Sequence, residues 1–574
     1  GKINSDTLVL TLMYTPLPLV KPVATVKGNS VILRANVLDN PYRRRLEYAW
    51  TVGPENPVNV RISESRTSEA TVAIPDARGK YYFNVTVMAG TDSATFQTYV
   101  IRNQDGLSAF SMETMFSAWI DDAVVYEITP YKFVDTGTYA DITDKLSDLK
   151  TLGINTIWLQ PVFKSHQRGQ GYDVIDYFSV QPALGDEGQL KELVRTAKSL
   201  GLRVLFDVVP NHTSIHHPYA RDYVAFGDQS HYAGFYQHRY DGAPYASFYH
   251  KDDNGFIYYF WKDLVNLDYD NEEVQRWMIE VCKYWLKKYD LDGYRLDAVW
   301  GVNARKPSFG KRLQTELKSI KPDILLLAED KAADTAVYDK GFDVAYDWTA
   351  DTTWVSQWSW QYAYDERDNL TIFRHPDEAG RGKKIMDAIF ENGNVSDPKL
   401  RFLENNDLPR FITAHGVQQT RMAAALLFSL PGVPMLYNGQ EIGFPVHPYS
   451  RGAMFKRDES IPMRDTTGLF DYYQKIIALR MNYSSLRSRN IAALPTAATG
   501  AVAAFRRWNA GEEIVVVINA GSRPEVLSLG DMLPDALPIS VTDILTGAEF
   551  QRRGGDIRVT VGPADARWLL VKMR

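Results

Sequence analysis

The sequence lacks the features that mark disulfide scaffolds, membrane proteins and nucleic-acid-binding proteins. Its 574 residues include a single cysteine, Cys282, so no disulfide can form within the chain. No run of about 18 consecutive apolar residues is present, so we expect no transmembrane segment. The net charge of −6 is mildly acidic, which is a poor match for a polyanion, so we expect no nucleic-acid partner.

The remaining composition is that of an ordinary globular protein, with 45% hydrophobic and 23% charged residues. Aromatic residues make up 12% of the chain, which fits large cores first and sugar binding second, since flat rings stack on pyranoses. At about 150 residues per domain the length predicts about four domains, or two to three if one of them is a barrel.

Both ends of the chain are predicted to be β-sandwiches, over residues 1–105 and 486–574. Short runs of β-branched and aromatic residues alternate there with turn residues, which is typical of antiparallel sandwiches. The Tyr48-x-Trp50 pair and residues 79–85 resemble immunoglobulin-like modules of the kind fused to bacterial surface enzymes. The predicted N-terminal strands are Val31–Val37, Leu46–Val52, Thr71–Ile74, Tyr81–Met88 and Thr95–Ile101.

Residues 106–485 are predicted to form one α/β domain, a (β/α)8 TIM barrel. Short strands that are apolar on both faces alternate there with helical segments, which indicates a parallel sheet covered by helices. The eight predicted strands are Val124–Pro130, Asn155–Pro161, Arg203–Val209, Gly293–Val299, Ile324–Asp330, Val344–Trp348, Leu400–Asn405 and Val433–Gly439.

One connection, about residues 210–262, is too long for a simple loop. It follows the third predicted strand and shows no strong helical pattern. Because long connections in compact domains are usually functional, we expect a small inserted subdomain beside the barrel mouth.

Three carboxylates, Asp297, Glu329 and Asp407, end the fourth, fifth and seventh predicted strands. Barrel active sites form at these strand ends, so the three side chains are expected to share one mouth. Glycoside hydrolysis needs one ionised and one protonated carboxyl group there. Arg295 lies two residues before Asp297 on the same strand face and is expected to hold it ionised, while neighbouring acids raise the pKa of Glu329.

With these strand ends, the chain resembles the α-amylase family, glycoside hydrolase family 13. The third strand ends in Phe206–Thr213, and the eighth carries Gly432-Val433-Pro434, Tyr437 and Gly439-Gln440-Glu441. Further matching stretches are Val125–Ile128, Gly171–Tyr177 and Leu264–Asp268. The likeness covers roughly residues 120–485 and the C-terminal sandwich.

The resemblance implies a retaining double displacement. Asp297 would be the nucleophile, Glu329 the general acid and then the base, and Asp407 the residue that binds sugar hydroxyls. The substrate-binding residues that it implies are Tyr172, Asp173, Asp207, His212, Arg295, Asn406, Gln170 and Arg410.

Two of these positions depart from the family pattern, because Gln170 and Asn406 stand where the family has histidines. We expect a reduced rate or a shifted specificity from them, and not an inactive site.

A structural calcium ion is possible, although the proposed chemistry requires no cofactor. Asn211 matches one calcium ligand of the family, but Trp300-Gly301 replaces the usual Lys-His that supplies another. Asp135 and Asp141 in the first loop are an alternative pair of ligands.

The resulting hypothesis is a hydrolase of α-1,4-glucosidic bonds in starch, maltooligosaccharides or related α-glucans. Alternatives are a neopullulanase-like or cyclomaltodextrinase-like enzyme, a transglycosylase, and a non-catalytic glycan-binding protein. We expect an extracellular, cell-surface or periplasmic location, with any signal peptide removed from this sequence. The oligomeric state is left open.

Overall fold

The computed structural model describes residues 17–572, except for residues 41, 105, 112–118, 136, 168–170, 241–248, 350–355, 359–370, 447–452, 496–499, 534–537 and 553–555. The chain divides into two compact units, one holding the described residues up to Ser111 with Gln314–Asp323, the other holding the rest. The predicted domain boundaries at 105/106 and 485/486 stay proposals, although residues 106–109 pair with the N-terminal sheet.

The N-terminal unit is a sandwich of two four-stranded antiparallel sheets. Inward-facing residues alternate with outward-facing ones along each strand, and those of both sheets share one apolar core. One sheet contains Leu19–Lys27, Ser30–Asp39, Glu69–Ala73 and Ile62–Ser63; the other contains Glu47–Val52, Gly79–Ala89, Asp92–Asn103 and Gly106–Ala109. The predicted strands are present here, and the sequence prediction omitted the first strand and two short ones.

The second unit is built on a closed barrel of eight parallel strands, which confirms the predicted fold. In chain order these barrel strands are Val125–Ile128, Thr156–Leu159, Arg203–Val208, Gly293–Leu296, Leu325–Lys331, Val344–Tyr346, Lys399–Arg401 and Val433–Tyr437. At Gly293 an added Cβ would lie 2.4 Å from the Leu325 carbonyl oxygen and 2.6 Å from a Leu205 methyl carbon. The third, fourth and fifth strands can therefore approach closely only because residue 293 is glycine.

The helices of this part of the chain either connect barrel strands or follow the eighth strand. They are Pro130–Phe133, Tyr139–Leu152, Glu187–Ser199, Glu272–Tyr289, Val299–Arg305, Ser308–Ile320, Ala336–Asp339, Arg381–Phe390, Phe411–Ser429, Leu469–Asn482 and Ser484–Arg487. Single 3₁₀ turns lie at Ile120–Asp122, Ile372–Arg374, Glu378–Gly380, Gln440–Ile442 and Ile461–Arg464. In the described part of the chain, no helix combines the length and the apolar character needed to cross a membrane.

The connection after the third barrel strand is a small α/β subdomain, as predicted. Its four-stranded antiparallel sheet contains His212–Ser214, Leu264–Asn266, Ile257–Tyr258 and His250–Lys251, and 3₁₀ turns lie at Gly227–Gln229 and Ala233–Phe235. The expectation that it has no strong helix is wrong, since Pro218–Phe226 is helical. Pro218 occupies the first helical turn and the His217 side chain caps the helix, a start signal that was overlooked.

Two further sheets complete this unit. A hairpin of Phe163–Ser165 and Val174–Val180 follows the second barrel strand. The C-terminal region has a six-stranded sheet of Ile491–Ala493, Val502–Asn509, Glu512–Asn519, Asp565–Lys572, Ser540–Asp543 and Glu549–Gln551, a strand pair of Glu525–Ser528 and Arg558–Val561, and a helical turn at Leu529–Met532. One apolar core joins the two layers, which is the predicted second sandwich.

Candidate active site

The centre of the site is Arg295, which is fully buried on the fourth barrel strand. Its Nη1 donates to both carboxylate oxygens of Asp207 at 3.0 Å and to Oδ1 of Asp297 at 2.8 Å. Its Nη2 lies 2.8 Å from Oε2 of Glu329. One guanidinium thus binds acids from three adjacent strands. Two of them, Asp297 and Glu329, belong to the predicted set, and Asp207 joins them in place of Asp407.

Barrel register explains this convergence. Asp207 lies opposite Arg295 in the parallel ladder between the third and fourth strands. Arg295 lies opposite Leu327 of the fifth strand, two residues before Glu329. Because the strands are parallel and in this register, their polar ends meet at the carboxyl edge of the barrel.

Aromatic rings and hydroxyl groups surround the guanidinium. Its central carbon lies 5.0 Å from the ring centroid of Trp158 and 5.7 Å from that of Tyr346, whose hydroxyl accepts from Nε at 3.2 Å. The Tyr172 hydroxyl donates to Oδ2 of Asp207 at 3.0 Å, and the Trp158 indole donates to the same oxygen at 3.2 Å. Asp207 is therefore occupied by internal partners, which favours an indirect role in substrate binding.

Ala298 provides a second contact to Glu329. It has a φ of 43°, in the left-handed region that alanine rarely adopts, and its N–H donates to Oε2 of Glu329 at 2.5 Å. Strained backbone of this kind persists where the surrounding structure holds it and concentrates at functional sites. The residue after Asp297 thus fixes the carboxyl group of Glu329.

The two central acids differ in their protonation. Burial raises the pKa of Glu329 well above its usual value, and Asp297 and Asp407 raise it further, against the opposing charge of Arg295. Burial also raises the pKa of Asp297, but Arg295 and a hydrogen bond from Glu329 oppose that rise. Because Asp297 raises the pKa of Glu329 while Glu329 lowers that of Asp297, the proton favours Glu329 and the negative charge favours Asp297.

Asp407 lies at the open side of the site. It is exposed, whereas Asp297 and Glu329 are only 9% and 5% exposed. The Asn406 amide donates to its Oδ1 at 3.1 Å, and its own N–H donates to Oδ1 of Asn405 at 3.0 Å. The charge of Asp407 contributes to raising the pKa of Glu329.

Three further predicted residues, Tyr172, Asp173 and His212, lie beside this group. Tyr172 and Asp173 belong to the loop inside the hairpin after the second strand and are partly exposed. Asp173 accepts from the Gln167 N–H at 3.0 Å, and burial raises its pKa. His212 is buried, and burial lowers its pKa to about 3, so its ring is neutral.

One predicted residue, Arg410, is not brought into the group, and another cannot be placed. Gln170 lies outside the described residues. Arg410 is 2% exposed and bonds internally, to Oε1 of Glu404 at 2.7 Å and to the carbonyl oxygens of Asn438 and Val446 at 2.9 and 3.1 Å. This placement corrects the expectation that Arg410 contacts a sugar: its guanidinium is occupied in fastening the loop after the seventh strand.

Glu127 is a buried acid that the sequence interpretation passed over. It lies on the first barrel strand, its Oε1 accepts from Gln160 at 2.8 Å, and burial raises its pKa to about 8. The electrostatic effects of Arg295 and Asp407 reach it. A glutamate inside an otherwise apolar strand was the available signal.

The predicted calcium position at Asn211 is taken by an arginine side chain. Oδ1 of Asn211, the predicted ligand atom, accepts instead from Arg305 Nη2 at 3.0 Å. Asp141 is also occupied, since it accepts from the Thr138 N–H at 3.1 Å in the capping box of the helix Tyr139–Leu152. Within the described residues, no group of three or more His, Cys, Asp or Glu side chains is arranged to hold a metal.

Comparison with known proteins agrees with this geometry. The family model described as alpha amylase, catalytic domain, matches residues 104–462. The chain is 28% identical over 472 residues to the cyclomaltodextrinase of Thermoanaerobacter pseudethanolicus, covering 76% of this chain and 75% of that protein. It is 28% identical over 457 residues to alpha-amylase MalA of Haloarcula japonica, covering 77% and 61%.

Among solved structures, the alpha-amylase of Geobacillus thermoleovorans complexed with acarbose superposes with a TM-score of 0.62. The two sequences are 24% identical, and the match covers 79% of this chain and 98% of that one. At this identity the likeness supports the fold.

Proposed function

Because the chain belongs to the α-amylase family and is an α-amylase-type glycosidase, we propose that it hydrolyses α-1,4-glucosidic bonds of starch and maltooligosaccharides with retention. The observation that carries this proposal is the single guanidinium of Arg295 shared by Asp207, Asp297 and Glu329. The arrangement keeps one carboxylate charged beside a protonated partner, which is what a glycosidase pair requires.

The first step forms a covalent glycosyl-enzyme. A carboxylate oxygen of Asp297 attacks the anomeric carbon while Glu329 gives its proton to the departing glycosidic oxygen. Asp297 and Glu329 each lie 2.8 Å from the same guanidinium, which favours the short carboxyl spacing of retaining enzymes, about 5–5.5 Å, over the wider inverting spacing.

The second step releases the sugar. Glu329, now ionised, takes a proton from a water molecule that attacks the anomeric carbon, and Asp297 leaves as a carboxylate. Burial favours the return of the proton to Glu329, because a buried carboxylate is costly without compensation. If a second sugar attacks in place of water, the same intermediate gives transglycosylation.

Substrate contacts are proposed for the open side of the site. Asp407 would bind sugar hydroxyls together with Asn406, which is buried beside it and donates to its carboxylate, and Tyr172 would stack on the sugar at the cleavage point. The neutral ring of His212 and the Asp173 carboxyl would face the same sugar from the neighbouring loop. Gln170 keeps its predicted role as a hydrogen-bonding replacement for the family histidine.

A cyclomaltodextrinase-like specificity is the second candidate function. The relative that is 28% identical over 472 residues carries that name, and Trp300-Gly301 departs from the usual α-amylase pair. A non-catalytic glycan-binding role is opposed by the complete set of acids.

Release of reducing ends from starch, pullulan and cyclodextrin, measured in parallel, tests the proposal. Fastest release from starch supports the leading function, and fastest release from cyclodextrin or pullulan supports the second. Binding of all three glucans without release would contradict both. No cofactor is proposed for the reaction, and export remains a proposal that the polymeric substrate motivates.

A further inference from the structure

Arg305 lies beside Asn211, at the position predicted for a structural calcium ion. It ends the helix Val299–Arg305, which follows the strand that carries Asp297. Its Nη2 donates to Oδ1 of Asn211 at 3.0 Å and to the carbonyl oxygens of Leu267 and Asn211 at 3.4 and 3.5 Å. Its Nη1 donates to the hydroxyl of Tyr259.

All of these acceptors are neutral oxygens. Across the described ranges no carboxylate forms an ion pair with Arg305, whose positive charge is held by one amide oxygen, two backbone carbonyl oxygens and one hydroxyl group. Oxygens of these kinds are also the ligands that a hard cation takes in proteins. The surroundings therefore suit a cation, and the chain supplies that cation itself.

Gly301 leaves the space that the guanidinium needs. A Cβ atom at this position would lie 2.7 Å from Oδ1 of Asn211, 2.7 Å from a ring carbon of Tyr259 and 3.3 Å from Nη1 of Arg305. A side chain at residue 301 would thus collide with the acceptors and crowd Arg305. The contacts of Arg305 therefore depend on the presence of glycine at position 301.

We propose that the Arg305 guanidinium is a built-in replacement for a structural metal ion. It joins three segments without a calcium ion: the end of the third barrel strand at Asn211, the inserted subdomain at Leu267, and the helix Val299–Arg305. It acts as a positioning residue through Asn211, whose Nδ2 lies 3.2 Å from both Nδ1 of His212 and Oδ1 of Asn266.

Melting temperatures of the full chain test this proposal. We expect the same wild-type melting temperature in millimolar EDTA and in millimolar calcium. Arg305→Met keeps the apolar stem but removes the charge and its hydrogen bonds, and it should melt lower by roughly 5 °C. Arg305→Lys keeps the charge and should recover part of that loss. The neighbouring Lys306→Met, which removes only a surface ion pair with Asp270, should melt within about 1 °C of wild type.

Three results would overturn the proposal. One is an Arg305→Met variant that melts like wild type. Another is equal melting of the Met and Lys variants, which would assign Arg305 a packing role only. The third is a fall of the wild-type melting temperature in EDTA that disappears in Asn211→Ala, because that result would place a metal at this site. None of these readouts depends on catalysis, so failure here is distinguishable from failure of the proposed function.

Discussion

Replacement of Glu329 by glutamine tests the proton donor. The amide keeps the size of the side chain, and its oxygen can still accept from the Ala298 N–H and from Arg295, which reach Oε2 at 2.5 and 2.8 Å in the wild type. The fold should therefore survive, while the proton that the buried carboxyl group holds is lost.

The magnitude follows from the role of the group. General acid catalysis contributes about 10²–10⁴ in rate, or roughly 3–5 kcal/mol. We expect starch hydrolysis to fall by that factor in Glu329→Gln. An α-maltosyl fluoride needs no protonated leaving group, so its first step should stay near the wild-type rate while the covalent intermediate accumulates. Azide needs no general base and should restore turnover with an α-glycosyl azide as product.

The pH profile provides an independent check. Wild-type kcat/KM should fall as the pH rises through the raised pKa of Glu329, because the acid form is the active one. That limb should be absent in the variant.

A matched control is Glu441→Gln. Glu441 is also buried in the barrel unit, it accepts from the Tyr126 hydroxyl at 2.7 Å, and burial raises its pKa to about 7. Starch activity of Glu329→Gln above a tenth of wild type, or no response to azide, would refute the reasoning.

Three further outcomes are expected. Asp297→Asn should lose hydrolysis but keep glucan binding by calorimetry and its melting temperature; wild-type rates would mean another nucleophile. Glu127→Gln should flatten the pH dependence of the free energy of unfolding. In the wild type, the raised pKa of about 8 stabilises the folded state fully below the pKa of the unfolded chain, and this stabilisation is lost as the pH rises towards 8, at about 1.4 kcal/mol per pH unit. Parallel curves for variant and wild type in urea unfolding would contradict this. Asn406→His should raise kcat on a defined maltooligosaccharide several-fold through tighter transition-state contact, and an unchanged or lower kcat would show that Asn406 is fitted to this site.

The barrel was predictable because its strands are apolar on both faces, and polar residues at their ends then stand out. Asp207, Arg295, Asp297 and Glu329 were found in this way. Their register across adjacent strands brings them onto one guanidinium, and sequence spacing alone does not give that register.

The roles of residues whose neighbours come from distant segments of the chain could not be predicted from the sequence. Arg410 follows a strand-end motif, but its buried partner Glu404 and two backbone carbonyl groups occupy it. Arg305 lies on an ordinary helix end, and only the tertiary structure places it against Asn211. Glu127 interrupts an apolar strand in the sequence, but its complete burial depends on the closed barrel.

Covalent trapping of the nucleophile tests the central claim most directly. An α-maltosyl fluoride with a second fluorine on the reacting ring slows both chemical steps, so the glycosyl-enzyme should persist long enough for peptic digestion and mass spectrometry. We expect one maltosyl group per chain, attached to the peptide that contains Asp297. A label on any other residue would contradict it.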